Sequence, residues 1–333
     1  MPATAASQAQ HTFASMSDLL LRLYRLSQEL PIDLFQDAVM ELIKPVLPFD
    51  AAMWGTATTA SEGIDVRTLH LHQKSPEMMI EYEQHKHLDS AAASFFGKGH
   101  GTRGFNSERW WSGAANAPFL DYVQRYDQNN IFITMDSDPR TNFMQWISLF
   151  RADPDAHCET EEERLLASLS PHLMQALAMN RVMHLDKLGT VGTGQRRGNA
   201  IADLHGAIYH CDVAFIALMQ QEFSGWARQA LPTKLLEHFL IERTPYLGAQ
   251  LVMTPRLEQR LLFLSVRPRC RADNLTARER TIASLVCKGN TYKEIARTFD
   301  RSPATVRNQI QTLYAKLGVD NIAGLIEEMR LVE

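Results

Sequence analysis

Cysteine is scarce in this chain, with 4 among 333 residues, and Cys158, Cys211, Cys270 and Cys287 are widely scattered. None forms a Cys-x-x-Cys pair or a metal-ligand spacing. That speaks against a disulfide framework and a cysteine-built zinc site, and leaves free thiols in a reducing compartment as the expectation, with a redox switch as the lesser alternative. Long apolar runs are missing too. The longest, Val213 to Met219, falls far short of the ~20 residues a membrane helix needs, so no membrane partner is expected. No Lys or Arg precedes Arg22 and no apolar core lies near the start, so no export signal is expected and the cytoplasm is the consistent compartment. Phosphate-cradling loops, a Gly-x-Ser-x-Gly elbow, His-Glu-x-x-His and the dinucleotide fingerprint are all lacking. The N-terminal half does not open with the strand and paired aspartates of a phospho-acceptor domain. Neither catalysis nor a cofactor is therefore expected. His70 and His72 share a strand face and could bind a metal, but without a matched carboxylate or third histidine they read as a solvated face and no metal is expected. His85 and His87, two apart on an expected helix, point away from each other.

At 45% hydrophobic and 22% charged residues, the chain has ordinary globular composition, and its length suits two or three domains. Its charge is unevenly spread. Between Arg267 and Lys316 stand eleven Lys or Arg against four acids, a local +7 in a chain of net −4. Positive charge gathered on one segment suits a phosphate backbone, through an attraction that weakens with salt.

Local signals within that segment are dense. Thr276 with Glu279 and Thr291 with Glu294 are Thr-x-x-Glu capping boxes, each opening a helix by satisfying free amides reciprocally. Gly289 falls where the first of these helices must stop. A third helix starts at Ser302 with Pro303 at its first position, where the missing N–H is no loss. Val306, Ile310, Leu313 and Leu317 make one apolar stripe along it. Ala304, Arg307, Asn308 and Gln311 are left facing outward, and amides and guanidinium groups suit the edges of adenine and guanine.

These blocks, Leu275-Thr276-x-Arg278-Glu279-Arg280, Gly289 before Lys293-Glu294-Ile295-Ala296, Thr305-Val306-Arg307-Asn308 and Lys316-Leu317-Gly318-Val319, resemble the LuxR-type helix-turn-helix domain of bacterial transcription regulators. The resemblance spans Leu275 to Met329. It implies that the third helix enters the major groove with Thr305, Arg307, Asn308 and Gln311, and that Lys293 lies against phosphate. Gln309 stands where many members carry His. After Gly318 a fourth helix carries Ile322, Leu325, Ile326 and Met329, and it serves either dimer contact, as often in that family, or closure of the bundle's own core.

The preceding residues read as two further domains. Residues 1–12 are small and polar and are expected to be disordered. Leu19, Leu23, Leu26 and Leu30 fit a helix broken at Pro31 and resumed from Ile32. Strands are expected over 49–56, 66–72, 131–135 and 144–150. Thr160-Glu161-Glu162-Glu163 caps a helix running towards Leu188. Along it Leu166, Leu169, Leu173, Ala176, Asn180 and Met183 keep coiled-coil spacing, interrupted by a kink at Pro171, so that it either dimerises or packs on its own sheet. Pro48-Phe49-Asp50-Ala51-Ala52 and Trp146 to Arg151 in this order are similar to GAF-like sensor domains. Gly189 to Gly198 is a linker by composition. Beyond it, strands flanking the turn Asp203 to Gly206, a helix from Asp212 through Phe215 and Leu218, and a hairpin of 251–253 with 261–266 resemble a short PAS domain.

Aromatic residues crowd 95–126. Phe95, Phe96, Trp110, Trp111, Tyr122 and Tyr126, with Phe119, suit either a small-molecule pocket or a plain core. The fold class expected is thus α+β and multidomain, with a GAF-like sensor over 13–188, a linker over 189–199, a PAS-like domain over 200–270 and an all-α four-helix unit over 271–333. The function expected is a ligand-responsive transcription regulator whose partners are double-stranded DNA, a small-molecule effector and a second copy of the chain, with RNA polymerase left open. The alternatives are a sensory adaptor recruiting another protein, a sensory enzyme, and an acyl-homoserine-lactone quorum regulator. The last is disfavoured because its aromatic-and-aspartate pattern is not seen.

Overall fold

The computed structural model describes residues 3–60, 63–138, 143–188 and 197–332. Two compact units divide it near Asp186, the short segments Asp203–His205 and Gln259–Leu261 grouping with the first. The expected linker lies mostly outside the described residues, at 189–196.

In the first unit, helix α1 (Ala3–Glu29) is followed by α2 (Ile32–Ile43). Its first turns occupy the stretch expected to lack structure, where Ala3, Ala5, Ala6 and Ala9 favour helix. Pro31 breaks the pair as expected. A proline has no N–H to give the carbonyl four residues back, and Asn180 supplies the missing donor, its Nδ2 reaching Ser27 O at 3.1 Å and Leu30 O at 2.8 Å.

A five-stranded antiparallel sheet follows in the order β2-β1-β5-β4-β3. Its strands are β1 (Ala51–Ala60), β2 (Gly63–His72), β3 (His100–Asn106), β4 (Asn130–Asp138) and β5 (Phe143–Arg151). Between β2 and β3 run α3 (Glu77–His85) and α4 (Ser90–Ala93), and between β3 and β4 run α5 (Ser107–Trp110) and α6 (Ala117–Arg125). Helix α7 (Thr160–Leu188) closes the unit and passes through Pro171 without interruption.

Period-two alternation sends neighbouring residues to opposite faces. Trp54, Phe132, Ile147 and Leu149 join α1, α2 and α7 in one core, whereas Ile131, Ile133, Trp146 and Phe150 join the aromatics of α3 to α6 in another. The coiled-coil reading of α7 is overturned here. Leu166, Leu169, Leu173, Ala176 and Asn180 are all buried in their own domain, so that seam is spent on the sheet and α1.

The second unit carries a sheet in the order β7-β6-β10-β9-β8. Strands β6 (Gly198–Asp203) and β7 (Ile208–Cys211) flank the expected turn, with Gly206 at φ 87°. Helix α8 (Val213–Glu222) is capped by Asp212, whose carboxylate accepts from Phe215 N at 2.7 Å. Helix α9 (Thr233–Ile241) and the two-residue β8 (Tyr246–Leu247) were not foreseen, and the hairpin β9 (Leu251–Glu258) and β10 (Leu261–Pro268) is longer than expected. Four helices end the chain: α10 (Ala277–Cys287), α11 (Tyr292–Thr298), α12 (Pro303–Leu317) and α13 (Ile322–Arg330).

One glycine decides how the aromatic layer packs. Gly55 pairs with Trp146 across β1 and β5, and a Cβ there would lie 2.5 Å from the indole and 2.5 Å from Thr68 O. Gly55→Ala should therefore displace Trp146 and destabilise the chain by about 1–3 kcal/mol, the ordinary cost of overpacking, as read from urea unfolding followed by tryptophan fluorescence.

Candidate DNA-reading surface and effector cavity

Each expected cap of the helical unit is in place. Thr276 N donates to Glu279 Oε2 at 2.7 Å while Glu279 N donates to Thr276 Oγ1 at 3.3 Å, and Thr291 with Glu294 repeats the exchange at 2.7 and 3.4 Å. Ser302 Oγ accepts from Thr305 N at 3.1 Å, and Gly318 ends α12 in the left-handed conformation. Hydrogen bonding from Lys316 and the Thr276 amide holds the Glu279 carboxyl below the usual carboxylate range. Val306, Leu313 and Leu317 are buried with Ile295 and Ala296, and Ile310 is half-buried beside them.

Burial of that stripe turns the opposite side of α12 outward. Thr305, Arg307, Asn308 and Gln311 are exposed, as is Lys293 at the start of α11. The Thr305 hydroxyl is already engaged with Ser302 Oγ at 2.8 Å. Among the described residues the Asn308 and Gln311 amides and the Lys293 ammonium make no hydrogen bond or ion pair within the protein, so their donors and acceptors stay available. Arg307 lies over the Tyr292 ring, 5.1 Å from its centroid. A concavity of about 470 Å³ runs between α10 and α12, with Arg278, Thr305, Asn308 and Gln309 in its wall. Leu325 and Met329 of α13 are buried in the bundle core, whereas Ile322 is exposed.

In the first unit the aromatic layer encloses a cavity of about 50 Å³. Trp111, Phe119 and Tyr122 line it, with Met53, Met78 and Met135. Its polar groups are few. Asp89 accepts from Ala92 N at 2.9 Å and from Tyr82 Oη at 3.0 Å, Tyr122 Oη donates to Met78 O at 3.0 Å, and Gln128 Nε2 meets Met78 Sδ at 2.9 Å. Trp111 Nε1 is buried without a hydrogen-bond partner. Burial pushes the Asp89 carboxyl above the usual carboxylate range, and burial with the nearby Asp89 charge pushes the Tyr82 phenol well up.

Residues 273–329 match the family model described as "Bacterial regulatory proteins, luxR family". They form a LuxR-family regulatory domain. No curated protein matches the chain. Among solved structures, SdiA from Escherichia coli is similar at 12% identity and a TM-score of 0.38, covering 94% of this chain and 95% of its own. The N-acylhomoserine lactone dependent LuxR family transcription factor CepR2 from Burkholderia cenocepacia is similar at 11% identity and a TM-score of 0.38, covering 52% of this chain and 98% of its own. A phycoerythrobilin-bound GAF domain from a cyanobacterial phytochrome is similar at 11% identity and a TM-score of 0.35, covering 50% of this chain and 96% of its own.

The LuxR-family domain thus presents all five residues expected to meet DNA on its surface. The aromatics expected to line a ligand site divide. Trp111 and Tyr122 face the cavity, with Phe119. Phe95 and Trp110 both pack edge-to-face against Phe105, Trp110 also lies under Arg103, and the Tyr126 hydroxyl donates to Glu81, while Phe96 only packs against the cluster. Those four serve packing and are withdrawn as cavity residues. Sequence reasoning missed Tyr82, Asp89 and Gln128. Asp89 is a helix cap in sequence, three residues before Ala92, and nothing local shows that its carboxyl also reaches a cavity wall.

His70 and His72 are not a solvated pair. His72 is only 3% exposed, and both rings meet Asp37 Oδ1, at 3.0 and 2.7 Å, with Glu41 3.2 Å from His72 Nε2. The carboxylates come from α2, a long way off in sequence. Among the described residues no group of three or more His, Cys, Asp or Glu is placed to hold a metal.

Since the folded carboxyl of Asp89 titrates above its unfolded value, its contribution to stability is complete below the unfolded value and is lost as pH rises through the folded one. Asp89→Asn keeps the cap and removes that loss. It is expected to melt higher than the wild type at neutral pH, with the difference vanishing in acid, in thermal unfolding across a pH series.

Proposed function

We propose that the chain is a cytoplasmic, ligand-responsive transcription regulator and not an enzyme. Its LuxR-family domain reads duplex DNA through α12, and the first unit binds a small effector in the cavity walled by Trp111, Tyr122 and Asp89. The observation that carries the reading is the outward row of unpaired amides and cations on α12 and α11, backed by a sealed apolar stripe. Asn308 and Gln311 suit adenine, Arg307 suits guanine, and Lys293 suits phosphate. A dimer would seat two such helices in successive major grooves roughly 34 Å apart.

The cavity sets limits on the effector. Its about 50 Å³ is well below the ~300 Å³ at which ligand pockets begin, so an effector must displace wall side chains. Methionines, unbranched and adaptable, are suited to that. The unpaired Trp111 indole N–H calls for an acceptor on the ligand, and the Asp89 carboxyl for a donor. A second reading rests on that same grouping. Asp89 with Tyr82, Tyr122 and Trp111 is an aspartate-and-aromatic set that the sequence did not reveal, and it favours an acyl-homoserine lactone as effector, to be tried by titrating N-octanoyl-homoserine lactone.

Selection from a random duplex library supplies the first test. Asn308→Ala and Gln311→Ala should each relax base preference by ~1–3 kcal/mol at one position, whereas Lys293→Ala should weaken all duplexes alike and flatten the salt dependence. Unchanged site preference in the two amide variants would reject the assignment. For the effector, small molecules released from purified protein are identified by mass spectrometry and added back. Thermal stabilisation by the compound is expected in the wild type and lost in Trp111→Ala. Its retention there would move the site elsewhere.

A further inference from the structure

We infer that Tyr292 is a positioning residue for the DNA-reading helix, holding the Arg307 guanidinium in place before DNA arrives. The inference rests on the reading of α12 proposed above. Tyr292 is the first residue of α11 and Arg307 lies on α12, so the contact joins the two helices across the turn between them. The Tyr292 ring is half-buried against the core of the helical unit, which fixes its plane. Arg307 Cζ sits 5.1 Å from the ring centroid, inside the ~6 Å at which a cation is drawn to the negative face of an aromatic ring. Arg307 is exposed, and among the described residues it forms no ion pair, so the ring is what restrains it.

A free arginine side chain loses rotamer freedom when it is pinned to a base. One already laid along a fixed ring loses less on binding, and its planar fork can reach a guanine edge from one direction only. The ring would therefore raise both affinity and selectivity for a guanine at the position Arg307 meets. Among the described residues the Tyr292 hydroxyl makes no hydrogen bond, so the ring face alone does this.

The test uses the full chain, a duplex that it selects from a random library, and the same duplex with each G·C pair in turn changed to A·T. Tyr292→Phe should bind as the wild type does. Tyr292→Leu should bind the selected duplex about two- to fivefold more weakly, the size of one exposed stacking contact, and should lose discrimination at the same G·C pair as Arg307→Ala. The double variant Tyr292→Leu/Arg307→Ala should bind no worse than Arg307→Ala alone. Additive losses, or equal losses in the Phe and Leu variants, would overturn the inference. A second readout does not depend on how the Leu variant folds. In the free wild-type chain the Arg307 δ-proton resonances should be shifted upfield by the ring, and the shift should persist in Tyr292→Phe. Unshifted resonances would also overturn it. If the wild type selects no duplex while those resonances are shifted, the DNA reading fails and the contact between ring and guanidinium stands.

Discussion

The outward row of α12 depends on one burial: Val306, Leu313 and Leu317 lie sealed against α10, α11 and α13. A helix has no independent control over its two sides. Once 3.6-residue periodicity commits those aliphatics to the core, Ala304, Asn308 and Gln311 have no choice but to face water. The capping boxes at Thr276 and Thr291 and the left-handed Gly318 then fix where the helices start and stop, so that the exposed row is held on a rigid scaffold. Charge does the rest at longer range, by concentrating positive residues in the segment that carries the row.

In the first unit the governing constraint is the two-residue period of β5. Trp146 faces the aromatic layer around the cavity, and Ile147, the next residue, faces the core shared by α1, α2 and α7. The two layers are thus one peptide bond apart. A ligand that displaced Trp146 would act on a strand whose alternate residues already grip the long helices, and close-packed interiors transmit such shifts rather than absorb them. Gly55 is the counterpart of this arrangement, since only a residue without a side chain leaves the indole its place.

The helical unit was readable from sequence because its signals are local. Thr276, Glu279, Thr291, Glu294, Ser302 and Pro303 each act within three residues, and the α12 stripe repeats within one helix. The same holds for the break at Pro31 and the cap at Asp212. What escaped depends on partners distant along the chain. Asn180 keeps the coiled-coil spacing in sequence, yet its amide serves carbonyls near Pro31, about 150 residues earlier. His70 and His72, on strand β2, look unaccompanied in sequence because Asp37 and Glu41 sit on helix α2 about 30 residues earlier. Strand β3, with Gly101 and Gly104 in its sequence, has little β propensity of its own and is a strand because β4 pairs with it. The cavity wall mixes residues of β1, β2, β4 and β5 with others from α3, α4 and α6, so crowding of aromatics within 95–126 picks out the layer without separating Trp111 and Tyr122 from their packing neighbours.

A last consequence concerns the Arg271 side chain, whose Nη1 donates to Leu317 O at 3.1 Å. Leu317 closes α12, so that guanidinium, together with Lys316 in the last turn, offsets the partial negative pole that aligned peptide dipoles build at a helix C-terminus. No acidic side chain occupies the first turn of α12. The two poles are therefore treated unequally: the negative one is offset by cations of the protein itself, and the positive one carries the Ser302 cap but no carboxylate.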